Sequence, residues 1–168
     1  RYYSNYFDAT TAAFTLPNNA ALQLGSTYTI EAWVYLVPGL GYTNPRIISD
    51  GSTGVNNIDI CVSSTDYKIN IGGGSAISTS AVPFNTWTHI AVVVNAGTLT
   101  LYINGTLNTL TGTTTGYNNN VTQKYIGGLT GSSYLWGGYL SNLRVVKGQA
   151  VYTTNFTPST SPLTTTSQ

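Results

Sequence analysis

The stretch WTHIAVVVNAGTLTLYING, residues 87–105, decides the fold class of this chain. Apolar residues return at every second position in two runs, 87–94 and 98–103, which is the period of a β-strand. The stretch ends on Asn104-Gly105, and Thr106 and Leu107 follow. Because Asn-Gly accepts positive φ at both central positions of a tight turn, the pattern predicts a two-residue hairpin.

The same two-residue period extends along the rest of the chain. In YTIEAWVYL, residues 28–36, one face carries Tyr28, Ile30, Ala32, Val34 and Leu36, and the other carries Thr29, Glu31, Trp33 and Tyr35. Further strands are predicted at residues 46–50, 57–63, 67–71, 106–110, 124–127 and 139–147. About ten short strands in a chain of this length predict one all-β domain built as two stacked antiparallel sheets or a barrel.

Charge is scarce in this sequence. Charged residues make up 7% of the chain, against roughly a quarter in an average soluble protein. The formal net charge is +1, and the basic residues are scattered, so no stripe exists that could neutralise a run of phosphates. No apolar run has the length of a membrane-spanning helix. We therefore expect neither nucleic acid as a partner nor membrane insertion.

Four segments, in this order, resemble the laminin-G-like branch of the concanavalin A-like lectin and glucanase jelly rolls. They are FDATTAAFTLP (residues 7–17), YTIEAWVY (28–35), WTHIAVVV with LYING (87–105) and YLWGGYLSNLRVVKG (134–148). Ala9 stands where the family usually has Gly, and Ala12 where it has a second Asp. The resemblance implies an antiparallel β-sandwich of jelly-roll type over residues 1–163. Residues 164–168 are predicted to be a tail or the start of a linker.

The closing stretch RVVKGQAVYTTNFTPSTSPL, residues 144–163, is especially similar to modules in tail and surface proteins of bacteriophages, cyanophages among them. This resemblance implies an extracellular or virion-surface location. It also implies a non-catalytic, lectin-like adhesion module of a virion or tail fibre that contacts host-surface glycans. We expect residues 138–163, which include this stretch, to be a strand and strap that lock the two sheets.

Two other functions remain open at this point. The domain could be a purely structural capsid or tail decoration protein that binds other virion proteins, and the sequence allows a homo-oligomer. It could also be a divergent glycoside hydrolase. Retaining glucanases of this architecture carry paired carboxylates on one strand, whereas Glu31 has no second carboxylate in its own strand. We therefore predict that the chain is not an enzyme.

Single reactive residues also favour structural roles. His89 is the only histidine, and no Ser-His-Asp or Cys-His set can be proposed around it, so we expect it to be hydrogen-bonded within the sandwich. The lone Cys61 is expected to be a small half-buried apolar residue. Trp33, Trp87 and Trp136 lie in the motif strands, and we expect all three in the core.

Calcium is the one cofactor that the family resemblance leaves open, because related sandwiches often hold it at a loop rim. Calcium takes six to eight oxygen ligands, carboxylates among them. Asp8 matches the first acid of the family's opening motif, and Asp50 and Asp59 flank a loop that carries further Asn oxygens. These three are weak calcium candidates, and no other cofactor is expected.

The longer loops are where this kind of scaffold places recognition. Three of them each contain one tyrosine among small polar residues. A tyrosine ring offers an aromatic face to the C–H groups of a sugar, and a neighbouring amide can bond its hydroxyls. The predicted ligand-binding residues are Tyr42, Asn44, Tyr117, Asn118 and Tyr134.

Overall fold

The computed structural model describes residues 3–11, 13–40 and 43–163. They form an all-β antiparallel sandwich of the concanavalin A-like jelly-roll type, as the sequence predicts, with one short 3-10 helix at Ala20–Leu22. Residues 164–168, predicted to begin a linker, lie outside this description. In the part of the chain that is described, no helix has the length and apolar character needed to cross a membrane.

Thirteen strands in the described part of the chain divide between two sheets. The six-stranded sheet has the order β1-β13-β3-β8-β9-β10, and the seven-stranded sheet has the order β11-β7-β6-β5-β4-β12-β2. In chain order the strands are β1 Asn5–Asp8, β2 Phe14–Thr15, β3 Tyr28–Leu36, β4 Arg46–Ser49, β5 Asp59–Val62, β6 Lys68–Ile71, β7 Ala76–Ala81, β8 Thr88–Asn95, β9 Thr98–Ile103, β10 Thr106–Asn108, β11 Leu110–Gly112, β12 Tyr125–Ile126 and β13 Gly137–Lys147.

The hairpin between β9 and β10 is confirmed. Asn104 and Gly105 have φ of 51° and 76°, the positive values that the tight turn requires. The strand predicted at residues 106–110 is instead two strands: β10 pairs with β9, and β11 pairs with β7 of the other sheet. β7 was not predicted, because its inward positions carry only the small side chains of Ala76 and Ser78.

The core lies between the two sheets. Alternate residues of β3, β8 and β9 point into it, and Val34, Leu36 and Leu101 are completely buried. β5 and β6 of the other sheet contribute Ile60, Val62, Ile69 and Ile71. Because side chains on a strand alternate between faces, the remaining residues of β3 and β8 must point to the outer face of the six-stranded sheet.

Residues 149–163, which we call the strap, cross this outer face. The backbone N–H of Val151 donates to Thr29 Oγ1 at 2.9 Å, and the N–H of Phe156 donates to the carbonyl of Gly105 at 2.9 Å. The side chain of Trp33 donates from Nε1 to the carbonyl of Ser159, also at 2.9 Å. The strap itself does not join the two sheets, since all three contacts are with the six-stranded sheet. Within the predicted locking segment, residues 138–163, only the strand β13 reaches the core between the sheets, through Leu140.

The strap gives the outer face a second, smaller core. Its members are Ala91, Val93 and Tyr102 of the sheet with Ala150, Tyr152 and Phe156 of the strap. The strap passes so close to the β9–β10 turn that a Cβ on Gly105 would overlap the carbonyl oxygen of Phe156. Glycine at this position therefore serves both the tight turn and the crossing.

Candidate functional site

Two of the predicted ligand-binding residues, Asn44 and Tyr134, lie together around Arg46 at the start of β4. Arg46 donates from Nη1 to the backbone carbonyl of Asn44 at 2.7 Å. The Tyr134 ring centre lies 4.5 Å from the guanidinium carbon of Arg46, which is a cation–π arrangement. The Tyr134 side chain remains 42% exposed, so part of its aromatic surface faces solvent. We call Asn44, Arg46 and Tyr134 the rim site.

The backbone of the rim site is held in a conformation that side chains rarely adopt. Asn44 has φ of 43° and Tyr134 has φ of 52°, both in the left-handed region. The carbonyl of Tyr134 accepts from the N–H of Arg46 at 3.0 Å, and Asn44 Oδ1 accepts from the N–H of Ser64 at 2.8 Å. Such conformations persist where surrounding contacts fix them and cluster at ligand-binding sites.

A buried ion pair supports the rim site from below. Arg46 donates from Nε and Nη2 to the two carboxylate oxygens of Asp59, at 2.8 and 3.2 Å, and both side chains are buried. Burial is the largest single influence and would lower the pKa of Arg46, but the hydrogen bonds to Asp59 together with the electrostatic attraction of Cys61, Asp59 and Tyr134 raise it. The planar fork of Arg46 is thereby fixed under the tyrosine ring, with a permanent positive charge.

Cys61 lies beside this ion pair, because it is the register partner of Arg46 on β5. It is buried rather than half-buried as expected, and burial raises the pKa of its thiol to about 12. A thiol needs its thiolate form to act as a nucleophile. Cys61 therefore packs beside the buried Arg46–Asp59 ion pair and does not act as a nucleophile.

The other predicted ligand-binding residues do not join this site. Tyr117 is completely buried in the core, and its hydroxyl donates to the carbonyl of Thr113 at 3.1 Å, so its ring offers no face to a ligand. Asn118 is exposed on the following loop. Its neighbour Asn119 is buried and donates to Asp50 Oδ2 at 2.8 Å. Tyr42 lies outside the described residues.

The three calcium candidates are separately engaged with the protein. Asp8 accepts from the backbone N–H groups of Thr10 and Thr11, and hydrogen bonding, chiefly from the Thr11 side chain, lowers its pKa. Asp50 accepts from the N–H of Ile58 at 2.8 Å, and burial raises its pKa. Asp59 is bound to Arg46. Among the described residues, no group of three or more His, Cys, Asp or Glu side chains could hold a metal ion.

Glu31 stands at the centre of a buried network on the outer face of the six-stranded sheet. Its Oε1 accepts from Arg144 Nε at 2.7 Å, and its Oε2 accepts from the Tyr152 hydroxyl at 2.9 Å. His89 Nε2 lies 3.1 Å from the same Oε2, so we place the proton on Nε2. Burial alone would raise the pKa of Glu31, but hydrogen bonds from His89, Arg144 and Tyr152 outweigh burial and lower it.

This network is covered rather than open to a substrate. Glu31 and His89 are each 1% exposed, and the strap residue Tyr152 lies over them. The other carboxylates bond to other partners. Asp50 and Asp59 make the contacts described above, and Asp66 forms a surface ion pair with Lys68. Each of the carboxylate side chains in the described part of the chain therefore has partners within the protein, whereas the two-carboxylate mechanism of glycoside hydrolysis uses two of them at one cleft.

Only one of the three tryptophans expected in the core lies there. Trp136 is completely buried, as predicted. Trp33 and Trp87 are not core residues: they point to the outer face of the six-stranded sheet, and Trp87 is 39% exposed. The alternation in YTIEAWVYL already places Trp33 and Tyr35 on the face opposite Val34. The strand motif therefore contained the signal, and the assumption that tryptophan is buried obscured it.

Comparison with known proteins adds the family. The Laminin_G_3 model, described as the concanavalin A-like lectin/glucanases superfamily, matches residues 8–151. The match covers most of the chain, and the chain belongs to this superfamily. The search of curated proteins gave no match.

Solved structures share the fold at low sequence identity. Domains LG4-5 of the mouse laminin α1 chain align with a TM-score of 0.60 and 15% identity, over 86% of this chain and 41% of that one. The CBM40 of the Ruminococcus gnavus IT-sialidase, bound to α2,3 sialyllactose, gives 0.56 and 12%, over 86% and 91%. Domain 4 of the extracellular arabinanase AbnA from Geobacillus stearothermophilus, in complex with arabinotriose, gives 0.56 and 18%, over 81% and 66%. At these identities the likeness establishes the fold.

Proposed function

We propose that this member of the superfamily is a carbohydrate-binding module that holds its ligand without cleaving it, and that the rim site contacts the sugar. The observation that carries the proposal is the Tyr134 ring, which is exposed, stacked on Arg46 and fixed in a left-handed backbone conformation. A ring of this kind offers a flat apolar face, and the fixed backbone means that little entropy is lost when a ligand packs against it.

The polar groups around Tyr134 suit sugar hydroxyls. The guanidinium of Arg46 uses its Nε, one Nη1 hydrogen and one Nη2 hydrogen for Asp59 and Asn44. Its remaining N–H groups have no partner in the described part of the chain and are donors only. Because Asp59 neutralises the guanidinium, the site favours an uncharged or weakly charged sugar over a strongly anionic one.

The superfamily and the solved structures support this reading at the level of the fold. Two of those structures, the arabinanase domain and the sialidase CBM40, contain bound oligosaccharides. The committed carboxylates of the present chain support binding without hydrolysis, since a glycosidase needs one proton donor and one base or nucleophile in the same cleft.

We further propose that the module acts on a bacteriophage virion or tail fibre, where it would attach the particle to host-surface glycans. The support is the resemblance of residues 144–163 to phage surface modules and the low charged fraction of 7%. Fluorescently labelled protein should bind host cells, and periodate oxidation of cell-surface sugars should abolish that binding. Unchanged binding to oxidised cells would contradict the adhesive role.

The rim site is tested by glycan-array screening followed by titration calorimetry with the best ligand. Replacing Tyr134 by Ala should weaken binding at least about tenfold, or ~1.4 kcal/mol, because the stacking face is lost. Tyr134→Phe keeps that face and should retain most of the affinity. Leu107→Ala, at an exposed apolar position on β10, is the matched surface control. Equal affinity of the Tyr134→Ala variant, or release of shorter sugars during incubation, would refute the proposal.

A further inference from the structure

Four aromatic side chains form a row across four neighbouring strands of the six-stranded sheet. In the strand register Tyr6 of β1 pairs with Tyr139 of β13, and Tyr139 pairs with Tyr35 of β3. Trp87 lies just before β8, next to Tyr35. The ring centres are 5.1 Å apart for Tyr6 and Tyr139, 5.8 Å for Tyr139 and Tyr35, and 5.4 Å for Tyr35 and Trp87. We call these four residues the aromatic row.

The aromatic row is the part of this outer face that the strap leaves open. Tyr6 is 54% exposed and Tyr139 is 36% exposed, and Tyr35 is half-buried between its neighbours. A groove of about 280 Å³ runs between Trp87 and the end of the strap. Its walls are Trp33 and Trp87, and its rim carries Ser4, Ser141, Asn142 and Thr160.

The groove is held in shape before any ligand arrives. Trp33 is fixed by its bond to the carbonyl of Ser159, and Ser141 Oγ donates to the carbonyl of Tyr3 at 2.6 Å. Asn142 has φ of 49° in the irregular part of β13, and its Nδ2 donates to the carbonyl of Ser161 at 2.9 Å. Rigid aromatic walls with a fixed amide and hydroxyl rim lower the entropy lost on binding.

The chemistry of this surface selects its occupant. Among the residues that the structure describes, neither the aromatic row nor the groove lining contains Lys, Arg, Asp or Glu, so their chemistry offers no opposite charge to an anionic or cationic ligand. Flat ring faces suit the C–H faces of sugar rings, and hydroxyl and amide groups suit sugar hydroxyls. At about 4.8 Å per strand, the row spans roughly 14 Å, which is longer than a single sugar ring.

We propose that the aromatic row and its groove are a second binding surface, which takes an uncharged oligosaccharide or polysaccharide chain laid across the strands. It belongs to the six-stranded sheet, whereas the rim site belongs to the seven-stranded sheet, so the two surfaces bind independently.

Affinity electrophoresis in gels that contain a neutral β-glucan, mannan or arabinan tests the proposal on the whole chain. The wild type should be retarded by at least one of these polymers. Trp87→Ala and, separately, Tyr139→Thr should reduce the association constant at least fivefold. Leu107→Ala should leave it unchanged, and the thermal midpoint of each variant should show that it is folded. Addition of the polymer should also reduce acrylamide quenching of tryptophan fluorescence, and this protection should be smaller in Trp87→Ala.

The rim variant separates this proposal from the previous one. If Tyr134→Ala loses array ligands but keeps its retardation by the polymer, the second surface exists and is distinct. If folded Trp87→Ala and Tyr139→Thr both migrate like the wild type, or if no neutral polymer retards the wild type, the second surface is refuted. A wild-type dimer in sedimentation that Trp87→Ala converts to a monomer would also refute it, because the row would then be an interface between copies of this chain.

Discussion

The outer face of the six-stranded sheet contains two regions built on the same strands. Under the strap, β3 presents Thr29 and Glu31, and β8 presents Ala91 and Val93, all of them buried. Beyond the end of the strap, β3 presents Tyr35, and Trp87 stands before β8, with much of the aromatic surface open. The strand positions alternate in the same way in both regions. What decides burial is the later segment of chain that crosses one region and not the other.

The difference shows how a sheet face becomes either a second interior or a binding surface. The covered region includes a charged side chain, Glu31, and tolerates it because three donors satisfy its carboxylate. The open region, as far as its residues are described, contains no charged side chain and instead exposes aromatic rings in a row. A continuous exposed apolar patch on a soluble protein marks an interaction site more often than a random surface feature.

Removal of the Glu31 carboxylate should have the largest effect on the covered region. Glu31→Ala takes away the acceptor that Arg144, His89 and Tyr152 share, and breaking a buried ion pair costs about 3–5 kcal/mol. Urea unfolding should show this loss. Asp66→Ala, which breaks an exposed pair with Lys68, should leave the unfolding free energy nearly unchanged, because solvent screens exposed ion pairs. If both variants lost the same stability, the covered region would not be an interior.

Loss of the aromatic anchor of the strap should have the next largest effect. Phe156 stacks on Tyr152 with ring centres 3.5 Å apart and packs edge-on against Tyr102 at 5.5 Å. Because Phe156 is only partly buried, Phe156→Ala should cost about 2 kcal/mol, below the value for a fully buried phenylalanine. Thr157→Ala, the adjacent exposed position, serves as the control in the same unfolding titration. An equal cost for both variants would mean that the strap is held by its backbone bonds alone.

The sequence predicts the β-sandwich fold more completely than it predicts the candidate binding site. Alternation and the Asn104-Gly105 turn suffice for the fold, because both are local properties of a strand and a turn. Asn44 and Tyr134 can be proposed as binding residues from loop composition. Their common contact with Arg46 cannot, because the position of the Arg46 guanidinium depends on its pairing with Asp59 across β4 and β5. The Tyr117 prediction was wrong for a related reason: a tyrosine in a polar loop turned inward, where Thr113 accepts its hydroxyl.

The aromatic row illustrates the same limit on one face of one sheet. The sequence shows that Trp33 and Tyr35 point away from Val34, and it shows nothing about what lies above them. The path of residues 149–163 decides which part of the sheet face is buried. That path depends on contacts such as that of Phe156 with Gly105, which lie more than 40 positions apart in the chain. Tryptophan is also commonly buried in single domains, which favoured the wrong assignment of Trp33 and Trp87.

Acid titration should distinguish the covered carboxylate from the buried Asp50. The pKa of Glu31 is lowered in the folded state, so its stabilising contribution is complete above the ordinary glutamate pKa of about 4.3 and is lost as pH falls through the lower, folded value. The pKa of Asp50 is raised, so protonation there favours the folded state. Between about pH 5 and pH 3, Glu31→Gln should flatten the fall in unfolding free energy, and Asp50→Asn should steepen it. If the unfolding free energy fell with the same slope in both variants and in the wild type, the Glu31 network would not contribute to the acid sensitivity of the fold.

The smallest effect should come from the open region, at its edge. Tyr6 contacts Tyr139, the only ring contact recorded for it among the described residues, and it is 54% exposed on the short strand β1. Threonine favours strand geometry as tyrosine does, and one exposed cross-strand pair contributes about 0.2–1 kcal/mol. Tyr6→Thr should therefore lower the unfolding free energy by about 0.5 kcal/mol in the same urea titration. If Tyr6→Thr cost as much stability as Phe156→Ala, the aromatic row would be part of the structural core of this face. Folding stability would then explain its exposed rings without any ligand.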